Sequence, residues 1–316
     1  MSEPAAPPAG FRIGHWSDPE GRTGCTVVIA PDGTRGGVDV RGGGPGTRET
    51  DVIGPLAGTD RVTAVMLAGG SAYGLSAADG AMRWLEEQGI GYPTPAGVVP
   101  IVPAAIVYDL AEGDPEARPD ADAGYAACAA AREGVPKRGR VGAGSGTAAS
   151  KILGRERAVP SGVGYSAAEG IGGITVAALA VANPFGDVIG PDGQPLAVAR
   201  SDDGSAPRTA DAIAAMEEPP DPFKVQPGNT TLVCLVTDAA LDKAGCARVA
   251  RAAAAGVGRA VEPVFTDVDG DVVFCLASGE DGPADRFTLL QTQTIAAQVV
   301  AGAIRDAVAS SASQMA

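Results

Sequence analysis

The sequence predicts an α/β fold, and three observations carry that prediction. Runs of β-branched and apolar residues at 62–67, 174–181 and 230–237 have the length and density of strands buried on both faces. Apolar and small residues recur at helical spacing in 121–132, 241–255 and 285–308. Turn signals such as Asp32-Gly33 and Asp269-Gly270 punctuate the strands. At 316 residues and 45% hydrophobic content the chain can bury a large core, as one big domain or two modest ones. Aromatic residues make up only 4%, so the core must be packed from Ala, Val, Ile and Leu.

In chain order, residues 1–10 lack the basic region and apolar stretch of a signal peptide and read as a short disordered lead. Residues 25–30 and 37–40 read as strands joined in a hairpin through Pro31-Asp32-Gly33-Thr34. The glycine-rich stretch from Arg41 to Arg48 lacks the spacing of a phosphate-binding loop, so backbone packing is its expected role. Strand 62–67 leads into Gly69-Gly70-Ser71-Ala72-Tyr73-Gly74 and a helix to about residue 88, stopped by Gly89. Ser71 sits as a nucleophile elbow would place it, but position 73 is Tyr, and a serine triad would have only His15 for its base.

Pro100 and Pro103 mark 98–107 as an edge strand. Residues 112–120 form a solvated loop, and the basic residues of 137–140 belong to the surface. A second glycine-rich loop, 141–151, ends in Lys151 without the Gly-Lys-Ser/Thr of a P-loop. Strand 174–181 runs into Asn183-Pro184, which leaves an amide at a strand end as a candidate oxyanion donor. Residues 202–228 lack apolar periodicity and read as a surface excursion open to cleavage. The 261–268 and 271–276 stretches are expected to form a hairpin around Asp269-Gly270, with Asp267 and Asp269 on one side of a strand and Asp271 capping the turn. A calcium loop is excluded because glycine comes too early and Ser278 stands where glutamate is required. The last helix buries Ile295, Val299 and Ala303.

Charge and composition narrow the function. A net charge of -14 argues against nucleic acid or an anionic membrane surface as partner, and disfavours strongly anionic substrates. Five scattered cysteines without a C-x-x-C pair suit reduced thiols in a cytoplasmic protein. No apolar run reaches the roughly 18 residues of a spanning helix. With one histidine, His15, the familiar Cys/His zinc sites lack ligands, and no metal or other cofactor is expected.

Thr230 offers a chemistry that needs no histidine. If the Asn229-Thr230 bond were cut, the new N-terminal threonine would carry a hydroxyl nucleophile and, on the adjacent carbon, an amine able to take its proton. From these residues alone Asn229 and Thr230 read first as the opening of a strand, and the catalytic reading needs support from the rest of the chain.

Taken together, His15-Trp16, the strand at 25–30, the Arg41 to Thr50 loop, Gly69-Gly70-Ser71-Ala72-Tyr73-Gly74, Val181-Ala182-Asn183-Pro184, Gly228-Asn229-Thr230-Thr231 and Thr266-Asp267-Val268-Asp269-Gly270-Asp271 resemble the DmpA-type peptidases of family S58 over residues 11–310. The resemblance implies a four-layer α-β-β-α sandwich of the N-terminal-nucleophile type, 11–316 as one catalytic domain, and self-cleavage into 1–229 and 230–316. It implies Thr230 as nucleophile, Asn183 as oxyanion donor, Lys151 as an active-site lysine, Tyr73 as a substrate contact, and Asp267 and Asp269 as groups positioning the amine and hydroxyl. The threonine with its aspartates resembles the nylon-oligomer and pantetheine hydrolases of the family more than its serine β-aminopeptidases. Small amides or peptides, with esters in addition, are the implied substrates, and a homo-oligomer, a tetramer of αβ units, the implied assembly. Two alternatives share the fold: an acyl- or amine-transfer enzyme, separable by product analysis with added amines, and an uncleaved binding protein, separable on a denaturing gel.

Overall fold

Two five-stranded sheets lie face to face, each covered on its outer side by two helices, in a computed structural model that describes residues 4–218, 228–280 and 284–315. The back sheet runs Val163–Glu169, Thr175–Asn183, Thr230–Thr237, Val272–Ala277, Arg35–Val40. Thr230–Thr237 is its central strand, and all eight residues are buried. Strand alternation explains the composition: Leu232, Cys234 and Val236 enter the core between the sheets, while Val233 and Leu235 enter the core beneath the helices Lys243–Ala260 and Arg286–Met315.

The front sheet runs Arg12–Asp18, Thr23–Ile29, Ala64–Ala68, Ala104–Ile106, Thr47–Arg48. Its outward residues Val27, Ile29 and Met66 pack with the helices Ala77–Glu87 and Ala121–Ala130. Asp120 and Asp242 cap the Ala121–Ala130 and Lys243–Ala260 helices, accepting from Ala123 N at 2.9 Å and Gly245 N at 2.6 Å. Small residues let these layers close. A Cβ on Gly37 would lie 2.3 Å from the backbone of Ala247, so this sheet edge and the Lys243–Ala260 helix meet only because position 37 is glycine.

Two parallel pairings follow from helical crossovers. Thr230–Thr237 reaches Val272–Ala277 through the 243–260 helix, and Ala64–Ala68 reaches Ala104–Ile106 through the 77–87 helix. The expected 261–276 hairpin is therefore wrong. Only Val261–Glu262 is extended, it pairs with Asp187–Ile189, and residues 263–271 turn back to start a strand parallel to the central one.

The turn at Pro31 to Thr34 forms, with Gly33 at φ +80, yet its flanking strands enter different sheets instead of pairing. A turn signal fixes local direction but not the partner of the strand that follows. Residues 4–10 are not a loose lead: Pro7 and Pro8 are buried, and Tyr165 donates its hydroxyl to the Ala5 carbonyl at 3.0 Å. Ala104–Ile106 is one strand in from the edge, which is held by the two residues Thr47–Arg48. The surface excursion expected at 202–228 contains the short helix Thr209–Ala214, and its part at 219–227 lies outside the described residues. The long last helix is apolar enough to span a bilayer by length and composition, but Ala296, Val300, Ala303 and Ile304 pack it into the back-sheet core.

Candidate active site

Thr230 heads the central strand, and its neighbour across the sheet is Asn183, the last residue of Thr175–Asn183. The Thr230 hydroxyl donates to the Asn229 carbonyl oxygen at 2.5 Å. That oxygen also accepts from the Gly270 N–H at 2.8 Å. The bond between Asn229 and Thr230 is thus held with a hydroxyl beside its carbonyl and an amide donor on its oxygen. Asn229 is fixed in turn by its backbone N–H and side-chain Nδ2, both donating to the Val268 carbonyl at 3.3 and 3.2 Å. Asn183, Asn229 and Thr230 are all buried.

Lys151 decides which way the Asn183 amide faces. Its Nζ donates to the Asn183 carbonyl at 2.8 Å and to Oδ1 at 2.9 Å, and Oδ1 also accepts from the Ala148 N–H at 3.2 Å. With Oδ1 so occupied, Nδ2 points to the other side and donates to the carbonyls of Tyr108 and Gly228 at 3.3 Å each. The donor end therefore faces the segment that leads into Thr230. Burial, with Arg155 nearby, holds the Lys151 ammonium well below the usual lysine range. Ser150, just before it, adopts φ 59 and is pinned by its hydroxyl donating to Asp187 at 2.6 Å.

The acidic pair is not the expected one. Asp267 is exposed in a turn, whereas Asp269 and Asp271 are buried. Reading Asp267 and Asp269 as same-side strand residues fails because 266–269 is a tight turn: the Asp269 N–H donates to the Thr266 carbonyl, and Asp269 Oδ2 accepts from the Thr266 N–H and hydroxyl at 3.1 and 2.5 Å. Asp269 Oδ1 accepts from Phe185 N at 3.3 Å, two residues beyond Asn183. Asp271, expected to cap a hairpin, accepts from the Thr231 N–H at 2.5 Å, one residue from the candidate nucleophile. Burial and the Asp269 carboxylate push Asp271 up to about 8.

The first glycine-rich loop packs on this turn by backbone, as expected. Gly43 N and Gly44 N donate to the carbonyls of Thr266 and Asp269, and a Cβ at position 43 would meet the Asp267 carbonyl at 2.4 Å. Gly43→Ala should therefore push the aspartate turn away from Asn229 and slow any chemistry there. The expected result is activity reduced at least about tenfold with little change in circular dichroism, since the loop lies outside the three cores.

Tyr73 is 59% exposed with the Arg118 guanidinium 4.0 Å over its ring, and no contact links it to Thr230. The tyrosine at the site is Tyr108, which the sequence reading passed over. Its ring lies where a Cβ on Gly228 would come within 2.8 Å, and its carbonyl accepts from Asn183. His15 is on the front sheet with Nδ1 against Thr26 Oγ1 at 3.0 Å; burial first, and Lys137 next, lower its pKa to about 4. Among the described residues no group of three or more His, Cys, Asp or Glu is placed to hold a metal ion.

Two sheets packed face to face and flanked by helices on both sides make the four-layer architecture of the N-terminal-nucleophile hydrolase folds. Comparison with known proteins gives the family. The profile of peptidase family S58 matches residues 9–315. A Mycobacterium tuberculosis protein named an uncharacterized aminopeptidase is 45% identical over 282 residues, 85% of this chain and 80% of that one. The 6-aminohexanoate-oligomer endohydrolase of a Kocuria species is 31% identical over 274 residues, 86% of this chain and 74% of that one. Among solved structures, a β-aminopeptidase from Burkholderia sp. superposes with a TM-score of 0.71 at 21% identity, over 95% of this chain and 84% of that one. The L-aminopeptidase D-Ala-esterase/amidase of Ochrobactrum anthropi, described as a variant of the Ntn-hydrolase fold, superposes with a TM-score of 0.69 at 19% identity and the same coverage. The chain belongs to peptidase family S58 and is a hydrolase of peptide or amide bonds.

Proposed function

We propose that this hydrolase is made by its own cleavage and then acts on small amides or peptides through a threonine acyl-enzyme. The observation that carries the reading is the Thr230 hydroxyl held against the Asn229 carbonyl, with Gly270 N–H on the same oxygen. In the first step Thr230 Oγ1 bonds to the Asn229 carbonyl carbon, the C–N bond breaks, and the chain passes through an ester that water hydrolyses. Gly270 N–H stabilises the oxyanion formed there. The products are the Asn229 carboxylate and a free Thr230 amine.

That amine is the base for turnover. It takes the hydroxyl proton as Oγ1 attacks a substrate amide, and returns it to the leaving amine when the tetrahedral intermediate collapses. Water then releases the acyl group. In the uncleaved chain Asn183 Nδ2 is spent on the Gly228 and Tyr108 carbonyls. Once the 228–229 end is freed, the same N–H can donate to the substrate oxyanion. Lys151 keeps Asn183 in that orientation, and Asp269 and Asp271 orient the new ammonium and lower the cost of protonating it.

Activity should rise with pH as the Thr230 amine loses its proton, above the ordinary α-amine value of about 8 because the two neighbouring carboxyls favour the ammonium. Asn183→Ala should lower kcat by about 10²–10³ while cleavage at Thr230, served by Gly270, continues. Hydrolysis assays on amino-acid amides, β-amino-acid amides and 6-aminohexanoate oligomers test the substrate side. Turnover of at least one class, with Asn183→Ala slowed on it, supports the reading. No turnover of any, by fully cleaved protein, contradicts it.

A further inference from the structure

Next to the site lies a cavity of about 420 Å³ whose charge runs against that of the whole chain. Arg22, Arg140 and Arg155 line it, with Glu112 as the one carboxylate among its lining residues, while the Ser145 and Thr147 hydroxyls on its wall already donate to the Gly142 and Gly144 carbonyls at 2.8 and 3.1 Å. Glu112 engages two of the arginines: its Oε1 accepts from Arg155 at 3.2 Å and its carbonyl from Arg22 at 3.2 Å. The Arg140 guanidinium makes no ion pair among the described residues. Burial first, and the neighbouring Arg22 next, push its pKa down against the opposing pull of Glu112, and the lining sets three guanidiniums against one carboxylate.

Two contacts join this cavity to the reacting groups. Ala148, on its wall, donates its N–H to Asn183 Oδ1 at 3.2 Å. Arg155 lies 4.9 Å over the ring of Tyr108, whose carbonyl holds Asn183 Nδ2. We propose that the cavity binds an oxyanionic group, a carboxylate or phosphate, carried by the amide substrate a short chain away from the bond attacked by Thr230. This rests on the amidohydrolase reading above. Guanidinium forks match such oxyanions in geometry and charge, and three arginines lining one cavity with one carboxylate leave positive charge to spare. The overall charge of -14 does not oppose this, because exposed charges are screened beyond about 8–10 Å and the groups lining the cavity dominate inside it.

Calorimetric titration of the purified, cleaved protein with adipate, adipamide and inorganic phosphate tests the cavity without relying on catalysis. Adipate or phosphate should bind at least about tenfold more tightly than uncharged adipamide, and more weakly at high salt. The tighter of the two anions identifies the oxyanion. Arg140→Gln should lose about tenfold or more, with Arg140→Lys between it and the unsubstituted protein. Glu112→Gln should strengthen anion binding several-fold, a gain that a damaged fold cannot produce. Equal affinity for adipate and adipamide with no phosphate binding, or anion binding unchanged in Glu112→Gln, would overturn the proposal. Hydrolysis of neutral amides in the same preparation reports separately on the amidohydrolase reading: turnover without anion binding sinks the cavity alone, and anion binding without turnover of any amide sinks the catalytic reading.

Discussion

Thr230→Ala is expected to remain one uncleaved chain and to hydrolyse amides at less than about 10⁻⁴ of the unsubstituted rate. Alanine removes the hydroxyl that donates to the Asn229 carbonyl. It also leaves the strand's backbone pairing with Asn183 and with Val272–Ala277 intact, so the fold should survive. Thr230→Ser keeps the hydroxyl and should still cleave itself, more slowly, because the lost methyl loosens the rotamer that aims the oxygen. A denaturing gel and a hydrolysis assay on both variants measure this. Cleavage or turnover by Thr230→Ala would mean that another nucleophile acts.

The second large effect belongs to Asp271. Asp271→Asn keeps the shape but removes the titrating carboxyl that accepts from the Thr231 N–H, and kcat should fall by about 10²–10⁴ with folding retained. Asp269→Asn should also fall, through the loosened turn at Thr266 and Phe185. Asp267→Asn, on an exposed side chain, should keep near-normal kcat. Equal losses in Asp267→Asn and Asp271→Asn would return the aspartates to the role of turn-formers.

The same carboxyl gives a pH signature in the uncleaved Thr230→Ala chain. Asp271 is raised to about 8 in the fold, so the folded chain keeps a proton that the unfolded chain releases at the ordinary carboxylate value. Its contribution to stability is full below that ordinary value and is lost as pH climbs toward about 8. Thermal unfolding should therefore move to lower temperature between about pH 5 and pH 8, and adding Asp271→Asn should flatten the trend.

The features legible in the sequence were those set by local pattern. The Thr230–Thr237 strand shows as an unbroken apolar run, and Asn183 shows as an amide where a strand meets proline. The two facing residues are also close in register, but only the sheet topology, with Thr175–Asn183 antiparallel to Thr230–Thr237, brings them together. The aspartates misled because alternation was applied across 267–269, where backbone hydrogen bonds make a turn and reset which side chains share a face. Counting from the strand that begins at Val272 would have favoured Asp271. Tyr108 carried no motif: it reaches the site because residues after Ala104–Ile106 pass under Gly228, a contact between segments over 100 positions apart. Tyr73 drew its expected role from the family resemblance, but the glycines around it are buried and lead the chain into a short helical turn that leaves the Tyr73 ring exposed.

The central claim is that the bond before Thr230 is broken by Thr230 itself. Intact-mass measurement with N-terminal sequencing of the freshly purified protein tests it most directly, with Thr230→Ala prepared in parallel. Two polypeptides corresponding to residues 1–229 and 230–316, the second beginning Thr-Thr-Leu-Val-Cys, are predicted for the unsubstituted protein, and a single chain for Thr230→Ala. A single intact chain in active protein would contradict the account.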